Sequence, residues 1–305
     1  AYVMRNGDVD LSVGAVLALS GSTAAFLMKE AGAAPLTAAV AGFLAGTLAG
    51  VVNGFLATKA RLPAFVATLC MFYIARGVAA WLVAGRQLNQ FPESYNLLGR
   101  KLIEIFKARG IELEPGSFLA NLAAALSTQT LILFVIAIVF GIILWRTPFG
   151  YMVTATGGNR RAAGYAGINT DRVRFLSLLL CAMLASLAGI IYVAFYRSYN
   201  PTAGQGRELD VIAAVVIGGA SIFGGYGSVL GALAGALVIT LIRAILSLQI
   251  ITAQGSFVMP QHWVNVAIGI ILILAVLGDI WLRQERILDT LKMRWRNRFR
   301  LGEAV

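Results

Sequence analysis

Charged side chains are scarce in this sequence. They make up 13% of 305 residues, where soluble domains carry roughly 25%. So little polar surface cannot cover an apolar fraction of 59%. That excludes a globule dissolved in water and makes lipid the solvent. Cysteine is nearly absent too. Cys70 and Cys181 both lie inside apolar runs, so they read as small core residues and offer neither a disulfide framework nor a metal-spaced pair. The one histidine, His262, stands beside Trp263 at the edge of an apolar run, the setting of an interfacial residue rather than a catalytic base. The pattern G-x-x-x-x-G-K followed by Ser or Thr does not occur, so no self-supplied ATP hydrolysis is expected. H-E-x-x-H is missing, as is any nucleophile–base arrangement, and an enzyme reading is left without a site. The net charge of +11 would suggest nucleic acid in a soluble chain. Here the cations sit in loops and the C-terminal tail, so no nucleic-acid partner is expected.

What is present is a succession of apolar runs. Eight can be placed, at about 11–28, 34–57, 63–84, 118–145, 174–196, 209–224, 227–251 and 261–282. Runs such as LILFVIAIVFGIILW do not alternate, which excludes a β-barrel. In lipid the backbone groups find partners only within a helix. The expected fold is all-α, a polytopic transmembrane helix bundle. The sixth run is short for a span, and the fourth is long enough to tilt or bend. The longest loop, 85–117, contains Gly99–Gly110, where Leu102, Ile103, Ile105 and Phe106 stand among charged residues. The cations are Arg100, Lys101, Lys107 and Arg109, flanking the apolar residues, and a short interfacial helix on the outer face fits that stretch, with docking of an external protein as a secondary use. The chain opens Ala-Tyr-Val-Met without a secretory signal and enters a motif within seven residues, so further residues are expected ahead of Ala1.

The polar hinge of the chain is Thr147–Asp171. It carries Gly150, Gly157, Gly158, Gly164 and Gly167 around Arg160 and Arg161, between two long apolar runs. A short cytoplasmic helix across the mouth of the bundle, pushed by a soluble partner, suits it. With this loop inside, the inner segments 58–62, 146–174 and 283–300 hold fourteen Lys and Arg against three acids. The outer segments 29–33, 85–117, 197–210 and 252–260 hold eight, nearly matched by seven acids. The bias satisfies the positive-inside rule. It also puts the run from Arg283 to Arg300 where anionic lipid heads can meet it.

Two stretches repeat. Asp10-Leu-Ser-Val-Gly-Ala and Asp210-Val-Ile-Ala-Ala-Val each begin with an acid. Each leads to glycines at four-residue spacing: Gly42, Gly46, Gly50 and Gly54 in the first, Gly227, Gly231 and Gly235 in the second. Such spacing lines one helix face and admits a close neighbour. Chance in a Gly- and Ala-rich chain is the other explanation. The first copy starts inside and the second outside, so the repeat is inverted, a common transporter design. Polar residues inside the runs are Asn53, Arg76, Arg243 and Asn265, with Asp10 and Asp210 opening the two copies. Each serves either as a satisfied interhelical bond or as the wall of a path. An Arg76 pair with Asp10 or Asp210 would suit both accounts. Phe65, Phe195 and Tyr199 are candidates to stack on a sugar ring or simply to pack.

The motifs Gly7-Asp8-Val9-Asp10-Leu11-Ser12-Val13-Gly14, Asn53-Gly54, Pro63-Ala64-Phe65-Val66-Ala67-Thr68-Leu69 and Arg76-Gly77 resemble permease subunits of ribose- and xylose-type ABC importers. So do Thr147-Pro148-Phe149-Gly150, Gly157-Gly158-Asn159-Arg160-Arg161-Ala162-Ala163, Pro201-Thr202-Ala203-Gly204 and Glu208-Leu209-Asp210-Val211-Ile212, in order and spacing. The resemblance implies a pair of permease copies, an ABC ATPase subunit and a periplasmic sugar-binding protein, in a bacterial inner membrane. It implies that no cofactor binds this chain, ATP and Mg being held by the partner ATPase. It implies about ten spans, two of them ahead of Ala1. It places ATPase coupling at Thr147, Gly150, Gly157, Gly158, Asn159, Arg160, Arg161, Ala163 and Gly167. The translocation path then falls to Asp10, Asn53, Phe65, Arg76, Asp210 and Asn265. The long 85–117 loop and the extended basic tail depart from the ribose type and bear on the cargo.

The chain divides accordingly into a first transmembrane half, 1–145, a coupling loop, 146–173, a second half, 174–282, and a basic cytoplasmic tail, 283–305. The cargo expected is a monosaccharide or related polyol. The alternatives are a branched-chain amino acid or nucleoside carried by the same architecture, and a stand-alone channel or secondary carrier. The last leaves the glycine-rich basic loop without a use.

Overall fold

The computed structural model describes residues 1–248, 250–252, 255–257, 260, 263–271 and 273–278. His262 and the basic tail lie outside the described residues. The chain starts with a single turn, α1 (Tyr2–Arg5), then α2 (Val13–Lys29), α3 (Pro35–Thr58) and α4 (Ala64–Leu82). A loop region follows with β1 (Leu88–Asn89), α5 (Glu93–Asn96), α6 (Leu102–Ala108) and α7 (Phe118–Ala125). Next come α8 (Thr128–Arg146), α9 (Pro148–Gly158), α10 (Arg160–Tyr165) and α11 (Thr170–Tyr196). After β2 (Ser198–Tyr199) stand α12 (Arg207–Ile217), α13 (Val229–Leu246) and the hairpin of β3 (Ile250–Thr252) and β4 (Gly255–Phe257). Residues 263–271 and 273–278 are helical. Among the described residues, α3, α4, α8, α11 and α13 are long and apolar enough to cross a membrane, and α2 is a shorter apolar helix.

Two runs differ from the sequence expectation. The fourth, 118–145, is interrupted. Leu126 is extended, and Ser127 caps α8 by accepting from the Thr130 amide at 3.3 Å. The outer loop holds the break open: the Leu102 amide donates to Leu126 O and the Thr128 amide to Arg100 O, each at 3.0 Å. The sixth run, 209–224, is only partly helical. Its helix α12 ends at Gly218, and Gly219, Gly224 and Gly225 take positive φ in the turns that follow, a region cheap for glycine alone. With eleven residues, α12 rises about 16 Å, half of a bilayer core.

The packing is inverted relative to a soluble core. Ala15, Val16, Ala49, Ala182 and Ala185 fill one buried cluster, while Leu36, Leu44, Leu48, Phe134, Ile138 and Leu237 point outward. Small residues inside and large ones toward lipid is the membrane pattern. Helix α11 is central, against α2 and α3; α2 also packs on α4, and α12 on α13. The glycine stripe of α3 lies in this seam. A Cβ at Gly42 would strike Ser20 O, at Gly46 Ser186, at Gly50 Ala182 and at Gly54 Phe175. Gly231 and Gly235 approach the carbonyls of Gly218 and Ala214 across the α12–α13 seam. Gly227 is not on that stripe: it precedes the Ser228 cap of α13 at φ 145° and serves the turn. Cys70 is exposed on α4 and so faces outward rather than into a core; Cys181 is half-buried.

One end of the bundle carries the 147–171 segment and is called here the lever end. The α12–α13 loop is also there, since the Gly225 amide donates to Arg5 O at 2.8 Å. Helix α2 therefore runs away from the lever end and α12 toward it. At the far end, β1 pairs antiparallel with β2, Leu88 opposite Tyr199. The buried Tyr95 hydroxyl donates to Ile190 O there at 3.0 Å.

Candidate coupling and translocation site

The lever is two short helices capped by their own side chains. Thr147 accepts from the Gly150 amide at 3.4 Å, ahead of Pro148 at the first position of α9. Asn159 accepts from Ala162 and opens α10; Asn169 accepts from Arg172 and opens α11. Gly157 touches the backbone of Arg5, where a Cβ would collide with the carbonyl. Val153, Thr156 and Ala163 are buried against the bundle. The other face is open. Gly158, Asn159, Arg160, Arg161 and Gly167 are exposed, as are Tyr151 and Tyr165, the latter at 92%. The lever thus has an inner surface fixed to the bundle and an outer surface of cations, glycines and two tyrosines.

A buried ion pair ties the lever to the interior. Asp8 accepts from Arg174 Nε at 2.7 Å and Nη2 at 3.0 Å. Arg160 Nη2 adds a longer contact to the same carboxylate at 3.4 Å, and Arg174 Nη1 donates to Ala57 O at 3.0 Å. The ion pair therefore joins α10, the start of α11, the end of α3 and the strap 6–12 that feeds α2. Such a bidentate pair is geometrically specific. Sequence reasoning passed over Asp8, which was read only as part of a motif, and counted Arg174 as a loop cation. An acid among the buried-looking residues of Gly-Asp-Val-Asp was the available signal.

Deeper along the strap, Asp10 Oδ1 accepts from the Ser12 amide at 2.8 Å and its hydroxyl at 2.6 Å. Asn53 Nδ2 donates to Ser12 Oγ at 2.9 Å, and Leu11 N to Thr68 Oγ1 at 3.1 Å. Asp10 Oδ2 and Asn53 Oδ1 are sealed without a partner. Asp10 also lines a small cavity of ≈ 110 Å³ with Ser177 and Cys181. The expected Arg76–Asp pair is not formed. Asp10 is held by Ser12, and Asp210 by Arg243 at 2.6 Å and Arg207 at 3.3 Å. Arg76 instead donates to Ala203 O at 2.5 Å and lies over the Phe72 ring. The structure thus brings Asp10 and Asn53 together and keeps Asp210 apart from them. Phe65 and Asn265 are exposed on their helices and join neither group. Tyr199 is fully buried with its hydroxyl on Ala18 O at 3.2 Å, which leaves no ring face for cargo. Phe195 is half-exposed.

A polytopic bundle of apolar helices packed through small residues, with a capped lever on one end, defines a membrane permease. The chain matches the family described as branched-chain amino acid transport system / permease component over residues 2–276. The ribose import permease protein RbsC of Escherichia coli strain K12 is 35% identical over 279 residues, covering 91% of this chain and 78% of the relative. Its counterpart in Bacillus subtilis is 32% identical over 278 residues, with the same coverage. The fructose import permease protein FrcC of Rhizobium meliloti is 30% identical over 282 residues, covering 92% and 73%. No solved structure matches. The chain belongs to this family of transport permeases, and it is a multi-pass protein of the bacterial inner membrane.

Proposed function

We propose that this protein is the transmembrane subunit of an ABC importer that carries a monosaccharide into the cytoplasm. The similarity to ribose and fructose import permeases along nine-tenths of the chain carries the reading. ATP is hydrolysed on a separate ATPase that docks on the exposed face of α9 and α10. A periplasmic binding protein delivers the sugar, and a second permease copy completes the path. In this reading the chain itself binds no nucleotide and catalyses no reaction. Closure of the ATPases shifts the lever, and the Asp8–Arg174 pair passes the shift to the strap and to α2. Glycine seams let α2, α3 and α11 slide without a side chain having to clear.

The family description itself favours a second cargo, a branched-chain amino acid. Proteoliposomes holding the full complex would separate the two. ATP-dependent uptake of labelled ribose, fructose, xylose and leucine is measured side by side. Uptake of a sugar and not of leucine is the expected result; leucine alone would transfer the assignment to the second cargo. Uptake without the ATPase would identify a stand-alone carrier.

A further inference from the structure

Between α12 and α13 lies a recess of ≈ 430 Å³ whose polar wall is Arg207, Asp210, Thr240 and Arg243, over a floor of Ala214 and Ile239. Its depth follows from the helix. Ile239 stands about 15 Å along α13 from Val229, near the centre of a core about 30 Å thick. Arg243 is one turn farther from the lever end. Charges at that depth are costly unless protein or water meets them, and they mark paths.

The cluster has unusual chemistry for a purely structural ion pair. Asp210 binds Arg243 tightly and Arg207 loosely, and Arg207 is 53% exposed. Arg243 Nε is sealed without a partner. Two guanidiniums thus share the single carboxylate of Asp210 in the recess. A ring carrying several hydroxyls suits this set, because each hydroxyl can donate to the carboxylate and accept from a guanidinium. The replaceable bond is the Arg207–Asp210 contact at 3.3 Å. Two neighbouring hydroxyls can enter between those groups while Arg243 keeps its hold on the other oxygen. The apolar floor accepts the C–H face of the ring. The start of α12, just after the positive-φ residues Gly204 and Gly206, gives a broken helix of the kind that forms midplane sites in transporters.

We propose that this recess is a transient cargo station for a polyhydroxylated ring, inserted between Arg207 and Asp210. It deepens the monosaccharide reading and rests on it. The test uses the full complex in proteoliposomes with Cys70→Ser and Cys181→Ser, and a single Thr240→Cys in the recess wall. A small methanethiosulfonate reagent is applied during turnover, with and without ribose or leucine. Modification should stop sugar uptake. Sugar at about nine times its dissociation constant should slow modification roughly ten-fold, and leucine should not. Ser247→Cys on the same wall gives an independent readout if Thr240→Cys does not assemble. Sugar uptake with unprotected modification at the assembled position overturns the station and leaves the import reading intact. Protection by leucine in a complex that imports no sugar overturns both.

Discussion

Asp8 and Arg174 are 166 residues apart in the chain, yet two oxygens of one meet two nitrogens of the other at 2.7 and 3.0 Å. Both side chains are buried, at 7% and 9% exposure. The pair lies where the strap 6–12, the lever and the central helix converge. Its value is better placed in specificity than in raw stability, because two desolvated charges recover little more than they lose.

Removing one partner is a different matter. Asp8→Ala leaves the Arg174 guanidinium buried without its counter-ion, and a loss of about 3–5 kcal/mol is expected. Thermal unfolding of the purified protein in detergent should show it. Arg174→Lys keeps the charge but cannot make the two-nitrogen contact, so it should retain more stability than Asp8→Ala while still lowering ATP-driven uptake. Equal uptake in Arg174→Lys and wild type would remove the pair from the coupling route.

Two adjacent glycines separate the faces of the lever. Gly157 abuts the Arg5 carbonyl, whereas the space beside Gly158 is open. Gly157→Ala should push α9 off α1 and reduce sugar uptake more than it reduces ATP hydrolysis by the complex. Gly158→Ala should leave both near wild type, unless the ATPase seats a side chain there. Uptake and hydrolysis measured on the same vesicles check the pair of substitutions.

The apolar helices were legible because lipid imposes length and composition on any span. The boundaries of α3, α4 and α13 begin within about two residues of the runs read from hydropathy. Hydropathy is blind to backbone turns, so 209–224 read as one run although Gly218, Gly219, Gly224 and Gly225 end the helix and fold it back. Ser127 was similarly hidden, since one hydroxyl among apolar neighbours changes little in composition but caps a helix. The lever was legible through its Gly and Arg content and its capping residues. Which acid meets which cation was not: Arg76 was matched to Asp10 or Asp210, the acids that open the two repeat copies. The fold gives Asp210 to Arg243 and Arg76 to a carbonyl. Pairing is set by distance in space, which sequence separation does not encode.

The α12–α13 seam gives a stability contrast. A Cβ at Gly235 would meet the Ala214 carbonyl, and one at Gly141 on α8 meets nothing within 4 Å. Gly235→Ala should cost about 1–3 kcal/mol as overpacking and open the recess that Asp210 lines. Gly141→Ala should be neutral or stabilising by up to about 1 kcal/mol, from helix propensity alone. Unfolding midpoints of the two variants, compared in one detergent, should move in opposite directions or at least rank in this order.

Arg76 holds the turn that leads into α12. Its Nη1 donates to Ala203 O, and its guanidinium rests over Phe72. Ala203 is buried, one residue ahead of Gly204, which packs on the Gly14 carbonyl. Without the arginine, the backbone of 200–206 keeps its glycine contact but loses its one long-range side-chain donor among the described residues. Arg76→Ala should leave the complex assembled, raise amide hydrogen exchange in 200–206, and lower the maximal rate of uptake. Arg76→Lys retains a donor and a cation of similar reach, so it should restore part of the exchange protection. If Arg76→Ala instead prevents assembly, the residue is a structural tie for the whole bundle. Unchanged exchange in 200–206 would show that Gly14 and Gly204 hold the turn without it.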